Sequence, residues 1–199
     1  MRMPVFIALL LQFACSFSRS EVQPAEGFHS SENSKFYDLA GQSAKQLIAQ
    51  MKESGPLGKD GKRYFGKTDW TIHWSYRYET RGGAVVFTRV TVTAAANFIV
   101  PRKQAPADAN DRMAAEWARF STALMIHERG HAENATRHAR QLYAVLHDHG
   151  PFASREELEA FVKAEGDKCI ADANAEDLAY DKRTRHGDTQ GATLHEPSH

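Results

Sequence analysis

Residues 127 to 131 read His-Glu-Arg-Gly-His. On a helix, positions i and i+4 share a face, so His127 and His131 would point two imidazoles at one ion, with the Glu128 carboxylate beside them. Hydrolytic zinc sites use this arrangement: two His ligands and a Glu that takes the proton of the attacking water. The composition makes the pattern hard to dismiss, since a chain of this length and His and Glu content yields roughly 0.03 such matches by chance.

The flanking sequence predicts the helix that the pattern needs. From about Asp108 to His147 the chain is rich in Ala, Leu, Met, Arg and Glu and has no proline. Met113, Trp117, Phe120, Leu124, His127 and His131 recur at spacings of three and four, so the two His extend an apolar stripe that faces inward. Asp108 or Asn110 is the expected N-cap. Gly130 costs about 1 kcal/mol relative to Ala within a helix, and close approach of another segment is one reason to keep it.

A catalytic zinc takes three protein ligands. A His six residues beyond His131 is excluded, because Arg137 stands there, and His138 faces elsewhere on the helix. Glu156, Glu157, Glu159, Glu165 and Glu176 are eligible on a following helix, and the segment after it supplies Asp177, Asp181 and His186. His186 is favoured: it follows a helix that could deliver it and sits beside Gly187, where the backbone can turn tightly. Asp181 is the alternative third ligand. Tyr180 and Arg185 are candidates to stabilise an oxyanion.

The remainder of the chain must position these groups. Its 199 residues carry 25 basic and 25 acidic side chains, a balance without a nucleic-acid footprint. Arg2 precedes an apolar run from Pro4 to about Ala14, and small residues follow, so residues 1–20 read as a secretory signal peptide whose apolar run is too short for a membrane span. Export to the periplasm or the exterior follows. Cys169 is then the one remaining thiol, without an intramolecular disulfide partner; it reads as a small buried hydrophobe. Residues 21–34 read as a flexible leader, 35–192 as one domain, and 193–199 as a loose tail.

Within the domain, a helix is predicted over Phe36 to Lys52. Trp70, Ile72, Trp74, Tyr76 and Tyr78 then alternate with polar residues, and after Gly82 and Gly83 a second alternating run reaches Ala94, which together predict an antiparallel hairpin. Ser154 with Glu157 forms a capping box for a helix over Arg155 to Ala164. Gly166 interrupts, and a last helix runs from Asp167 to Tyr180. The fold class is α+β: a long active-site helix packed on a small antiparallel sheet or hairpin, with additional helices.

The chain resembles the domain-of-unknown-function 922 family of secreted bacterial zinc-dependent proteases. The resemblance spans roughly Tyr37 to Ala192. It rests on Y-D-L-x-G from Tyr37, G-x-T-x-W from Gly66 to Trp70, the strand bearing Trp74 and Tyr76, Trp117 ahead of H-E-R-G-H, and the closing Y-D-x-x-T-x-H-G from Tyr180 to Gly187. It implies a zincin-like fold, with His127, His131 and His186 as Zn2+ ligands and Glu128 as the catalytic base. The expected function is hydrolysis of peptide bonds in a peptide or protein substrate, with no nucleic acid and no membrane span in the exported chain. A non-catalytic periplasmic zinc-binding protein is the alternative. A structural zinc site, with Asp181 or Asp177 as a fourth ligand, is a third reading.

Overall fold

The computed structural model describes residues 27–104 and 111–197. The expected signal peptide, the start of the leader and the helix cap at Asp108 or Asn110 lie outside the described residues. The elements are β1 (Gly27–Leu39), α1 (Ala44–Ser54), β2 (Lys67–Arg81), β3 (Ala84–Lys103), α2 (Asp111–Asp148) and α3 (Arg155–Thr184), followed by one 3-10 turn at Asp188–Gln190.

The expected hairpin is present. Gly82 and Gly83 have φ of 59° and 86°, the left-handed pair that a two-residue hairpin turn requires and that glycine adopts without strain. From Arg81 opposite Ala84, β2 and β3 pair antiparallel to Lys67 opposite Ile99, with a bulge at Arg77 and Tyr78. The sheet does not end there. β1 pairs parallel to β3 along its whole length, from Gly27 opposite Thr91 to Leu39 opposite Lys103, giving the order β1-β3-β2. The sheet is therefore mixed, not purely antiparallel, and residues 27–34 of the expected leader are ordered strand. Ser30 to Phe36 are exposed on both faces, so this edge strand shows no apolar alternation; its order comes from backbone pairing to β3.

Helix α1 is shorter than expected. Phe36 to Leu39 complete β1, and Ser43 caps the helix start through a reciprocal capping box with Gln46. The central strand β3 buries Val90, Val92, Ala94, Ala96, Phe98 and Val100. Against it lies α2, which buries Phe120, Leu124, Ala132, Ala135, Ala139, Leu142 and Leu146. One core region forms where α2 and α3 meet the sheet, around Ile72, Val92, Leu142, Leu158 and Val162. A second joins Leu39, Leu47 and Met51 to Met113, Phe120 and Leu124.

Two further expectations are corrected. The predicted pair of helices after Pro151 is one unbroken helix, α3, which starts at the Ser154 cap and runs through Gly166 to Thr184. Gly166 serves packing: a Cβ there would lie 2.2 Å from Cζ2 of Trp74. The tail is docked as far as Glu196, whose carboxylate accepts from the Lys45 backbone N–H at 3.0 Å. Leu194 is buried in the second core region, the Arg119 guanidinium donates to the carbonyls of Gly191 and Thr193, and the backbone N–H of His195 donates to Glu116 at 2.8 Å.

Gly166→Ala should therefore destabilise the protein by about 1–3 kcal/mol through overpacking, although the exchange alone favours a helix by about 1 kcal/mol. Chemical denaturation measures this; a more stable variant would contradict the contact with Trp74.

Candidate metal centre

α2 turns His127, Glu128 and His131 inward, where they are 4%, 3% and 8% exposed. The last turn of α3 brings Asp181 to them. Nε2 of His127 lies 3.3 Å from Asp181 Oδ1, and Nε2 of His131 lies 3.1 Å from the same oxygen. These three donors all fall within 4.8 Å of one another. Two imidazoles and a carboxylate so placed can hold a metal ion.

The opposite nitrogen of each imidazole is also engaged. His127 Nδ1 faces Gln190 Oε1 at 3.0 Å, with the Thr184 hydroxyl at 3.4 Å. His131 Nδ1 faces Asp177 Oδ1 at 3.1 Å. Acceptors on Nδ1 hold a ring proton there, which reserves Nε2 for a metal, as in metal-binding histidines; here both Nε2 atoms face the Asp181 carboxylate oxygen. Tyr180 packs across both rings, stacked on His127 with centroids 5.1 Å apart and edge-on to His131 at 5.0 Å. Its hydroxyl donates to the His127 carbonyl at 3.2 Å, and the Gln190 amide donates back to it at 3.1 Å. This contact accounts for Gly130 in mid-helix: a Cβ would sit 2.1 Å from the Tyr180 hydroxyl. Gly187 plays a similar part beside His127, whose Cγ a Cβ would meet at 3.0 Å.

Glu128 is held from the sheet. The Thr68 hydroxyl lies 2.7 Å from Oε2, and Gly66 approaches so closely that a Cβ would stand 2.5 Å from Oε1. Burial raises the Glu128 pKa, opposed by Thr68 and the two imidazoles. At His131, burial disfavours the imidazolium, but Asp177 and Asp181 outweigh it and push the pKa up to about 10. Asp181 is depressed well below the carboxylate range: burial acts upward, and its bonds to His127 and His131 prevail.

The structure thus gathers His127, Glu128 and His131 as expected, and it is Asp181, the alternative, that stands third. His186 is outside this group. Its Nδ1 comes nearly as close to Asp181 Oδ1, at 3.4 Å, as the two buried imidazoles do, but it is not among the donors that all lie within 4.8 Å of one another; its side chain is 54% exposed and its ring packs on Tyr64 at 5.3 Å. Tyr180, the oxyanion candidate, lies against both rings, and its hydroxyl is engaged with the helix backbone and Gln190. Arg185 is exposed and forms the left-handed cap of α3 at φ 51°. Asp177 sits behind His131, at its Nδ1, and Glu176 is paired with His138 at 2.9 Å and with Arg137. Cys169 is a buried free thiol near the His138 carbonyl. Sequence reasoning missed Gln190, Asn134 and the roles of Thr68 and Trp70. The last two stand in G-x-T-x-W, whose alternation marks one strand face; nothing local marks Gln190.

The His131 shift has a sign that can be tested. A raised pKa means stability that is complete below about pH 6.5, the ordinary histidine value, and lost as pH rises through about 10. Chelator-treated protein should lose stability progressively between about pH 6.5 and about pH 10 and level off above that, a slope that His131→Gln lacks. Thermal unfolding against pH measures it, and parallel curves for the two proteins would contradict the ion pair.

A family model described as a bacterial protein of unknown function, DUF922, matches residues 34–187. Neither the curated proteins nor the solved structures contain a match. The matched span includes every residue of the centre named above except Gln190. On that match over most of its length, the chain belongs to the DUF922 family.

Proposed function

We propose that the protein is an exported zinc-dependent metallopeptidase, with zinc held by His127, His131 and Asp181 and with Glu128 as general base. The observation that carries this reading is the convergence of two Nε2 atoms on one carboxylate oxygen beside a buried Glu. Zinc with bonds of about 2.0–2.1 Å in tetrahedral geometry separates adjacent donors by about 3.3 Å; the two imidazole-to-Asp181 distances are 3.3 and 3.1 Å. Nitrogen and carboxylate donors of this kind suit zinc.

When bound, zinc supplies a Lewis acid that acidifies water and polarises a carbonyl oxygen. The chain's own residues supply the rest. Glu128 takes a proton from the attacking water as oxygen joins the carbonyl carbon, then delivers it to the amine nitrogen as the C–N bond breaks. Its raised pKa suits both roles. The Thr68 hydroxyl fixes one carboxylate oxygen, leaving the other to handle the proton. Export rests on the N-terminal pattern of residues 1–20; no described helix is long and apolar enough to cross a membrane.

Elemental analysis of purified protein should find about one zinc per chain, retained in His186→Ala and lost in Asp181→Ala. Glu128→Gln should keep the zinc and lose about 10²–10⁴-fold in peptide hydrolysis. Hydrolysis at the wild-type rate in that variant would overturn the mechanism. Zinc bound with no Glu128-dependent cleavage would leave a non-catalytic zinc-binding protein.

A further inference from the structure

We propose that strand β2 serves the centre through two separable residues, Trp70 setting metal affinity by way of Asp177 and His131, and Thr68 setting the base by way of Glu128. The second half rests on the hydrolase reading; the first requires only that the centre bind zinc.

Thr68 and Trp70 share one face of β2, with Gly66 just ahead of the strand, and that face meets the inward side of α2. Thr68 reaches Glu128 directly. Trp70 reaches the centre through an intermediary: its indole Nε1 donates to Asp177 Oδ2 at 2.5 Å, while Asp177 Oδ1 faces His131 Nδ1 at 3.1 Å and accepts from Asn134 at 3.3 Å. The two oxygens of one carboxylate thus link a strand residue to a ligand. Asp177 and Asp181 are four residues apart on α3, one helical turn, and so share a face. Together they take the two nitrogens of His131, Asp177 at Nδ1 and Asp181 at Nε2. A metal shared with Asp181 must take the Nε2 side, which requires that the ring keep its other proton on Nδ1. Asp177 keeps it there. Trp70 keeps Asp177 there: with Oδ2 tied to an indole that packs against the core, the carboxylate cannot rotate away from the imidazole. Trp70, Asp177 and Thr68 are positioning residues, since each acts through another side chain.

The test is zinc affinity of the full chain, measured by competition with a chromophoric chelator, with the circular dichroism of each metal-free variant as the check on folding. Trp70→Phe keeps an aromatic ring and removes the indole donor; Asp177→Asn keeps the shape and removes the charge. Each should weaken zinc binding by about 10–100-fold, the usual effect of losing a partner behind a ligand. Thr68→Val should bind zinc within about threefold of wild type and, at saturating zinc, lower kcat for peptide cleavage without raising KM. Wild-type affinity in Trp70→Phe, or in Asp177→Asn should the Trp70 variant fail to fold, would overturn the proposal. So would a Thr68→Val protein that loses zinc as severely as the other two. If the wild type cleaves no peptide, the hydrolase reading and the Thr68 half fall together, and the affinity order still decides the role of Trp70.

Discussion

Three ionisable side chains on one turn of a buried helix face set the terms for everything around them. Each of His127, Glu128 and His131 would cost several kcal/mol if buried without partners. Among the described residues no buried side-chain nitrogen or oxygen lacks a partner. Meeting that requirement accounts for the architecture near the site. β2 must run close to α2 to bring Thr68 to Glu128, and α3 must extend a full 30 residues to bring Asp177, Tyr180 and Asp181 to the imidazoles. The chain must also turn back after α3 to place Gln190 at His127.

The same requirement explains the glycines. Gly130 admits the Tyr180 hydroxyl to the helix backbone, Gly66 admits the strand to Glu128, and Gly187 admits the turn to His127. Each is a place where a second element comes nearer than a Cβ permits. The closing sequence Y-D-x-x-T-x-H-G then reads as a set of contacts. Tyr180 supports the rings, Asp181 meets both Nε2 atoms, Thr184 stands at His127 Nδ1, His186 touches Asp181, and Gly187 packs on His127. The docked tail reinforces it, since Arg119 holds the carbonyl of Gly191 directly after Gln190.

What the sequence made legible was local. The i, i+4 His pair on an apolar stripe, the hairpin alternation and the Ser154 cap all depend on neighbours within a few residues. What it concealed depended on contacts far apart in the chain. β1 pairs parallel to a strand more than sixty residues later and is exposed on both faces over much of its length, so no apolar period announces it. The glycine at 166 inside an unbroken α3 answers to Trp74, on a strand about ninety residues earlier. The choice between Asp181 and His186 turns on the end of that helix. Asp181 lies on the helical face shared with Asp177, whereas His186 falls after the left-handed residue Arg185 and itself has φ of 54°, which carries it out of the helical register. The α+β class was therefore readable, and so was the shared face of His127, Glu128 and His131; that Asp181 joins them was not, because it depends on where α3 stops.

The most direct measurement is anomalous diffraction at the zinc edge from crystals of zinc-loaded protein. A single anomalous peak is expected within bonding distance of His127 Nε2, His131 Nε2 and Asp181 Oδ1, with His186 unbound. A peak coordinated by His186 in place of Asp181, or no peak between the two imidazoles, would contradict this arrangement.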